Sequence, residues 1–275
     1  MKIFKKLLAV LLAGLMLLSL AACGGKDDKM VRGVLGDDGF SAAVSKHDKE
    51  KHDKEKHEPY KATEQKYYSN ISAAIMDLKS GNISVLGCEK NTAEYIVAHN
   101  DGFEVTSLDR LTNFSMMTMD TNKEVYDILN DAIKAMKEDG SLEGLIEKEL
   151  KAYINSDPEA KDLPRFDGAV TIKIGVTGDL PPMDFVAANG KAAGFNIALL
   201  TEIANRAQVN FELVQIETGA RAMALSSGKV DAVFWTKGIT CTVCGAEGAE
   251  TIDGTLVTES YFSDSAASIR LKSDK

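Results

Sequence analysis

The residues able to do chemistry collect at the ends of apolar runs. After VTIKIGV comes TGDLPPMDF, which carries Thr177, Asp179, Asp184 and Phe185. A carboxylate in such a loop either accepts hydrogen bonds from an ammonium group or closes the turn on itself, and Phe185 either meets a ligand or pins the loop. Arg221, in TGARAMAL, opens a short helix. Its planar guanidinium and the first helical amides suit an anion, while pairing with Glu217 or Asp184 is the plainer use of the same side chain. Trp235, the only tryptophan, ends KVDAVFW and is followed by Thr236; it either stacks on a ligand or closes the edge of the core. Leu180, Pro182, Thr218 and Thr240 occupy the same set of loops. No G-x-S-x-G or H-E-x-x-H motif occurs, and His99 is the only histidine outside a charge run. The chain is therefore read as a binder, not an enzyme, with no cofactor expected.

Two further clusters stay open. Cys241 and Cys244 form CTVC, a local disulfide, half of a metal site or a plain loop; no second pair and no nearby histidine completes a metal site. His47, His52 and His57 recur every five residues in KHDKEKHDKEKH. On a helix that step advances about 140° beyond a full turn, so the rings do not converge on one ion. A solvated, charge-laced helix is favoured over a metal-collecting tract.

The elements that must position these residues alternate. MVRGVL, YKATEQKYYSN, NISVLGC and GFEVTSL read as strands, ISAAIMDLKSG and EKNTAEYIVAHN as helices, so residues 30–108 predict a small parallel sheet flanked by helices. NFSMMTM is extended. EVYDILNDAIKAMKEDG and SLEGLIEKELKAYI are amphipathic, with Val125, Ile128, Leu129, Ala132, Ile133 and Met136 on one face. NSDPEAKDLPRFDG, with Pro158 and Pro164, is the linker. The alternation then restarts with strand VTIKIGV, helix FNIALLTEIANRAQ, strand NFELVQI, helix ARAMALSSG and strand KVDAVFW. In parallel sheets ligands sit at the carboxyl ends of the strands, which directs attention to the loops named above.

The amino terminus, MKIFKKLLAVLLAGLMLLSLAAC, is a secretion signal, too short and too close to a cleavage site for a lasting membrane span. Leu20 to Cys23 resembles the bacterial lipobox, which implies cleavage before Cys23 and a lipid on its sulfur. Removing residues 1–22 takes away Lys2, Lys5 and Lys6 and lowers the net charge from −9 to −12. That balance argues against nucleic acid and leaves the lipid, not the protein surface, as the membrane contact.

The stretch IKIGVTGDLPPMDFVAANGKAAGFNIALLTEIANRAQVNFELVQI, followed by ALSSGKVDAVFW, resembles the opening of periplasmic solute-binding proteins of the polar amino-acid class. Strand, proline loop, G-F-x-x-x-L helix, strand and A-L-x-x-G-x-x-D come in that family's order. AAIMDLKSGNISVLGCEKNTAEYIV and FSMMTMDTNKEVYDILNDAIKAMKEDGSLEGLIEKEL resemble its second lobe and returning helices. The parts therefore stand in circularly permuted order, which surface termini lying close together allow. Two truncated tandem domains are the alternative. The resemblance implies an α/β fold of type II, two-lobed, with parallel or mixed sheets flanked by helices and a ligand cleft between the lobes. Its parts are a leader at 1–22, a tether at 23–29, a second-lobe-like region at 30–110, a return strand and helices at 111–153, a linker at 154–168 and a first-lobe-like region at 169–275.

The resemblance further implies an extracytoplasmic lipoprotein that delivers a small polar solute, an amino acid or related zwitterion, to an ABC permease. Glu89 falls where relatives often carry an aspartate for the ligand ammonium, and Asp37, between Gly36 and Asp38, falls in a turn that receives the ligand. One position departs: the carboxylate-gripping arginine of the family falls on Gly245, so amino-acid specificity is not inherited and Arg221 is the substitute. A ligand-sensing or structural lipoprotein that has lost the ligand is the other reading.

Overall fold

A computed structural model describes residues 30–35, 64–68, 70–241, 247–249 and 252–272. The leader, Cys23, Asp37, the histidine tract and Cys244 lie outside the described residues. The elements are β1 (Val31–Leu35), β2 (Glu64–Tyr68), α1 (Ile71–Lys79), β3 (Val85–Glu89), α2 (Lys90–His99), β4 (Phe103–Met119), α3 (Lys123–Glu138) and α4 (Ser141–Glu149). After the linker come β5 (Thr171–Val176), β6 (Asp179–Leu180), β7 (Asp184–Val186), β8 (Ala192–Ala193), α5 (Phe195–Ala207), β9 (Asn210–Gln215), α6 (Arg221–Ser226), β10 (Ala232–Cys241), β11 (Glu247–Ala249), β12 (Thr255–Val257) and β13 (Phe262–Leu271).

One mixed sheet runs β2-β1-β3-β13-β4-β10-β5-β9, with β11 beside β10 and β12 beside β4. It has a parallel trio at each end, β2-β1-β3 and β10-β5-β9, joined by antiparallel β13 and β4. Each trio is the sheet of one lobe. In chain order the small lobe reads second, first, third strand (β2, β1, β3), and the large lobe repeats that order (β9, β5, β10). In each, the third strand is followed by one that arrives from the other lobe.

The cores follow this division. In the small lobe Ala74 and Leu78 of α1, Leu86 of β3, Ile96 of α2, Phe103 and Ile269 are sealed together. In the large lobe the predicted stripe of α3, with Leu129, Ile133 and Met136 fully buried, packs with α5 and with Ile172 and Ile174 of β5. Helix α5 is apolar nearly all round because α3, α4 and the sheet enclose it. Across the other face of that sheet, α6 covers Met117, Ile216, Val230 and Val233.

Two sequence expectations change. GFEVTSL and NFSMMTM are not separate strands but one, β4, whose seventeen residues pass from lobe to lobe. Nor is β4 a member of the parallel trio: after β3 the next strand is β13, running antiparallel. The charged LDR segment interrupts the apolar alternation and masks the continuity, which the partners on either side impose. KVDAVFW likewise extends past Trp235 to Cys241 as β10. Pairing shifts register between Thr236 and Gly238 in β10 and between Ser265 and Ala267 in β13, beside the junction of the lobes. Such irregularities bend and twist strands locally.

The proline loop is held on α5 by one glycine. Phe195 and Asn196 donate their amides to the carbonyls of Pro182 and Met183 at 3.0 and 2.8 Å. This close approach puts Gly194 at φ +105°, where an added Cβ would lie 2.5 Å from the Met183 carbonyl oxygen. Gly194→Ala is therefore expected to cost about 1–3 kcal/mol, the order of a residue forced into glycine-only backbone space. Urea denaturation of the two proteins measures it, and a loss under a few tenths would contradict the geometry.

Candidate functional site

The loop between β5 and α5 is braced by Asp184. Its buried carboxylate accepts from the Thr177 hydroxyl at 2.7 Å, the Gly178 amide at 2.7 Å and the Asn196 side-chain amide at 3.2 Å. Tyr261, buried at the foot of β13, donates to the Asn196 oxygen at 3.2 Å and extends the network into the aromatic cluster of Phe114, Phe195 and Phe234. Asp184 and Thr177 thus spend their hydrogen-bonding capacity on the loop itself. The brace leaves Asp179 half-buried on the facing strand of a small hairpin, opposite Phe185. Burial raises the Asp179 pKa, and the charge of Asp184 adds to the effect; the Thr177 hydroxyl and Arg221 oppose it.

Arg221 opens α6 after a 3₁₀ turn at Thr218–Ala220. It is half-buried, and among the described residues its guanidinium has no hydrogen bond and no carboxylate within 4.0 Å. Burial lowers its pKa, against the pull of Asp184, Tyr261, Glu89 and Asp179. Arginine stays charged throughout the accessible pH range, so the site holds a cation surrounded by acids but bonded to none of them.

From the small lobe, Glu89 ends β3 and stands at the N-cap of α2 without a side-chain capping bond. Burial raises its pKa, Asp264 adds to the rise, and Arg221 and the Thr112 hydroxyl oppose it. Arg221 and Glu89 therefore act on each other's charge across the lobe boundary. The amino end of α2 is served instead by Asp264 of β13, which accepts from the Asn91 amide at 2.8 Å. Burial raises the Asp264 pKa too, and the Asn91 bonds hold it down.

Of the residues singled out in the sequence, Asp179, Asp184, Arg221 and Glu89 come together in one electrostatic cluster with Thr177 at its edge. Phe185 borders it through the hairpin. Trp235 is half-buried in β10 and packs on the α6 face of the sheet, where its indole nitrogen is buried with no partner among the described residues. Thr236 follows in the strand, paired with Phe114, and Thr240 accepts from the Asn113 amide at 3.1 Å. Sequence reasoning missed Tyr261, Asp264 and Thr112. The signal for Asp264 was present in SYFSDSAAS, an acid set between the apolar YF and AA pairs of a strand.

A separate cavity of about 580 Å³ opens between α2 and α4 over the hinge strands, lined among others by Asn91, Glu94, Glu147, Lys151, Phe262 and Asp264. It excludes Arg221, and Glu94 and Glu147 are already paired with Lys90 and Lys151. The Arg221 cluster has the unspent charge and is the better candidate site.

The raised carboxyl pKa of Glu89 carries a sign. A carboxyl group whose folded pKa exceeds its unfolded one favours folding while protonated, and that advantage is lost as pH rises through the folded value. Glu89→Gln is therefore expected to raise the melting temperature of the ligand-free protein at pH 7, with the gain shrinking toward zero as the pH falls below the ordinary glutamate range. Paired thermal melts across pH check this; a variant less stable than the parent at pH 7 would refute it.

Residues 172–242 match the family model of the bacterial extracellular solute-binding proteins, family 3. The match supports a solute-binding role and an extracytoplasmic location. No curated protein sequence matches the chain. Among solved structures, the ligand-binding component of an ABC-type import system from Staphylococcus aureus with zinc bound is 11% identical with a TM-score of 0.43; 86% of this chain covers 65% of that one. The GluR0 ligand-binding core in complex with L-glutamate is 11% identical with a TM-score of 0.41, covering 91% of this chain and 87% of that one. The oxidised form of OxyR is 8% identical with a TM-score of 0.42, covering 88% and 86%. Among the described residues no helix is long and apolar enough to cross a membrane.

Proposed function

We propose that the chain is a solute-binding lipoprotein that captures a small zwitterion, an amino acid or a close relative, between its lobes and delivers it to an ABC permease. The observation that carries the reading is Arg221: a half-buried guanidinium without a protein partner among the described residues, facing acids from both lobes. An unpaired cation in such a place costs free energy unless a ligand anion meets it. The ligand carboxylate would take the Arg221 fork, and its ammonium would lie between Glu89 and Asp179, whose raised pKa values fall as that positive charge arrives. Phe185 and Trp235 would border the ligand, with Thr177, Asp184, Thr236 and Asp37 shaping the surrounding loops. Arg221 here replaces the arginine that the family motif would put at Gly245.

In this reading the halves of a type II binding protein stand in rotated order. Two features support it: the repeated strand order of the two lobes and the exchange of one strand in each direction. Residues 1–22 would be removed and residues 23–29 would tether the protein through the Cys23 lipid. Delivery requires binding and release, and no bond-making step.

The test is a thermal-shift and calorimetric screen of the mature, unlipidated chain against amino acids, small peptides and polyamines. A zwitterion is expected to raise the melting temperature as RT ln(1 + [L]/Kd) grows, and Arg221→Gln to weaken its binding by roughly tenfold or more, the order of a charge-assisted hydrogen bond. Equal binding by the parent and the variant would remove Arg221 from the site, and a well-folded protein silent to the whole panel would reject the reading.

A further inference from the structure

The cavity between α2 and α4 takes its lining from both lobes and from the strands that join them. Asn91 and Glu94 come from the small lobe, Glu143 and Glu147 from the large one, and Leu111 and Asp264 from β4 and β13. Strand alternation accounts for Asp264. In β13 it lies two residues from Phe262, so both side chains leave the same face of the sheet and reach the same cavity. At about 580 Å³ the space is of the size that holds small organic molecules.

The charges of the lining do not balance. Four carboxylates and two lysines face the cavity, and each lysine is committed to a glutamate: Lys90 to Glu94 at 3.6 Å, and Lys151 to Glu147. Asp264 is only 6% exposed, and among the described residues no cation pairs with it. Its Oδ2 accepts from the Asn91 amide at 2.8 Å, a bond that braces α2 but leaves the carboxylate charge uncompensated. A carboxylate buried in that way costs free energy unless a positive charge reaches it. Glu143, exposed in the first turn of α4, has no ion partner among the described residues either. A first-turn acid suits the amino end of a helix, which explains Glu143 taken alone but not Asp264. Leu111, Ile146, Ile154 and Phe262 supply hydrocarbon surface in the same cavity. An inorganic ion has no use for that surface, and among the described residues no cluster of ligands is fit to hold a metal.

We propose that this cavity is a second binding site, for a small aliphatic diamine. One ammonium meets Asp264, the other meets Glu143, and the hydrocarbon chain lies on the apolar side chains. Charge-assisted bonds to the ammonium groups and burial of the methylenes then act together. The site lies outside the Arg221 cluster, and the inference does not rest on the zwitterion reading.

Calorimetric titration of the mature, unlipidated chain with cadaverine, n-pentylamine and magnesium chloride tests it. Cadaverine is expected to bind one-to-one and about two- to fivefold more tightly than n-pentylamine, the order of a partly exposed ion pair. Asp264→Asn keeps an acceptor for the Asn91 amide and is expected to weaken both amines about tenfold or more. Glu143→Gln is expected to lower cadaverine affinity to that of n-pentylamine while leaving n-pentylamine unchanged, a split that a loss of helix stability would not produce. Should Asp264→Asn fail to fold, the surface variant Glu143→Gln decides alone. No binding of cadaverine by the well-folded parent would overturn the site, as would parent affinity in Asp264→Asn or a cadaverine preference that survives Glu143→Gln. Displacement of cadaverine by magnesium at equal concentration would reduce the binding to the general attraction of an acidic chain for cations and overturn it too. Each of these failures leaves the zwitterion reading standing, because that reading is judged by Arg221→Gln.

Discussion

The backbone of β4 sets the terms for the rest of the molecule. Residues 103–107 pair with the end of β13 beside the small-lobe trio. Residues 111–114 pair with β13 on one side and with β10 on the other. By 117–119 the strand lies between β10 and β12 inside the large lobe. A strand with partners on both flanks cannot break without stranding buried amides and carbonyls, so backbone hydrogen bonds tie the lobes together. Relative motion must then be absorbed where pairing is already irregular, at the register shifts near Gly238 and Ser265. These positions flank the same junction at which Arg221 and Glu89 approach each other.

The site inherits its character from this junction. On the large-lobe side, Asp184 satisfies the turn of the proline loop and Tyr261 ties that turn to the aromatic core, so the loop is rigid before any ligand arrives. On the small-lobe side, Asp264 takes the helix amide that Glu89, as N-cap, would otherwise have bonded. The two substitutions of role have one result. Asp184 and Asp264 brace the backbone around them, while Glu89 and Asp179 meet only hydroxyl and backbone donors and Arg221 pairs with no carboxylate among the described residues. Preorganised polar groups of this kind bind by exchanging water for ligand without first breaking protein bonds.

Legibility in the sequence followed the range of the interaction. The amphipathic face of α3, the apolar α5, the linker and the strands of both trios are local patterns, and periodicity exposed them. Asp179, Arg221 and Glu89 entered as candidates because each lies at the carboxyl edge of a strand or the start of a helix. The continuity of β4 was not, since Leu108, Asp109 and Arg110 break its alternation and only neighbours distant in sequence hold those residues extended. Asp264 escaped for a related reason: it is 173 residues from the amide it caps. The pairing of Asp157 with α2 is equally invisible, because in sequence it is one more acid in a polar linker.

The segment between α4 and β5 does more than connect them. Joining ends that lie on one lobe requires only enough residues to span the gap, and any polar tract would serve. Here the tract instead makes an edge bridge to β8, buries Pro158, brackets Phe166 and extends one carboxylate to the opposite lobe. Each anchor on the large lobe lowers the entropy that Asp157 would lose on meeting Tyr95 and His99, so a contact too weak to form from a free loop becomes available. A connection that satisfied only chain closure would leave the lobes to their hinge strands. This one adds a contact between the lobes, from Asp157 to Tyr95 and His99 of α2, that chain closure alone does not require.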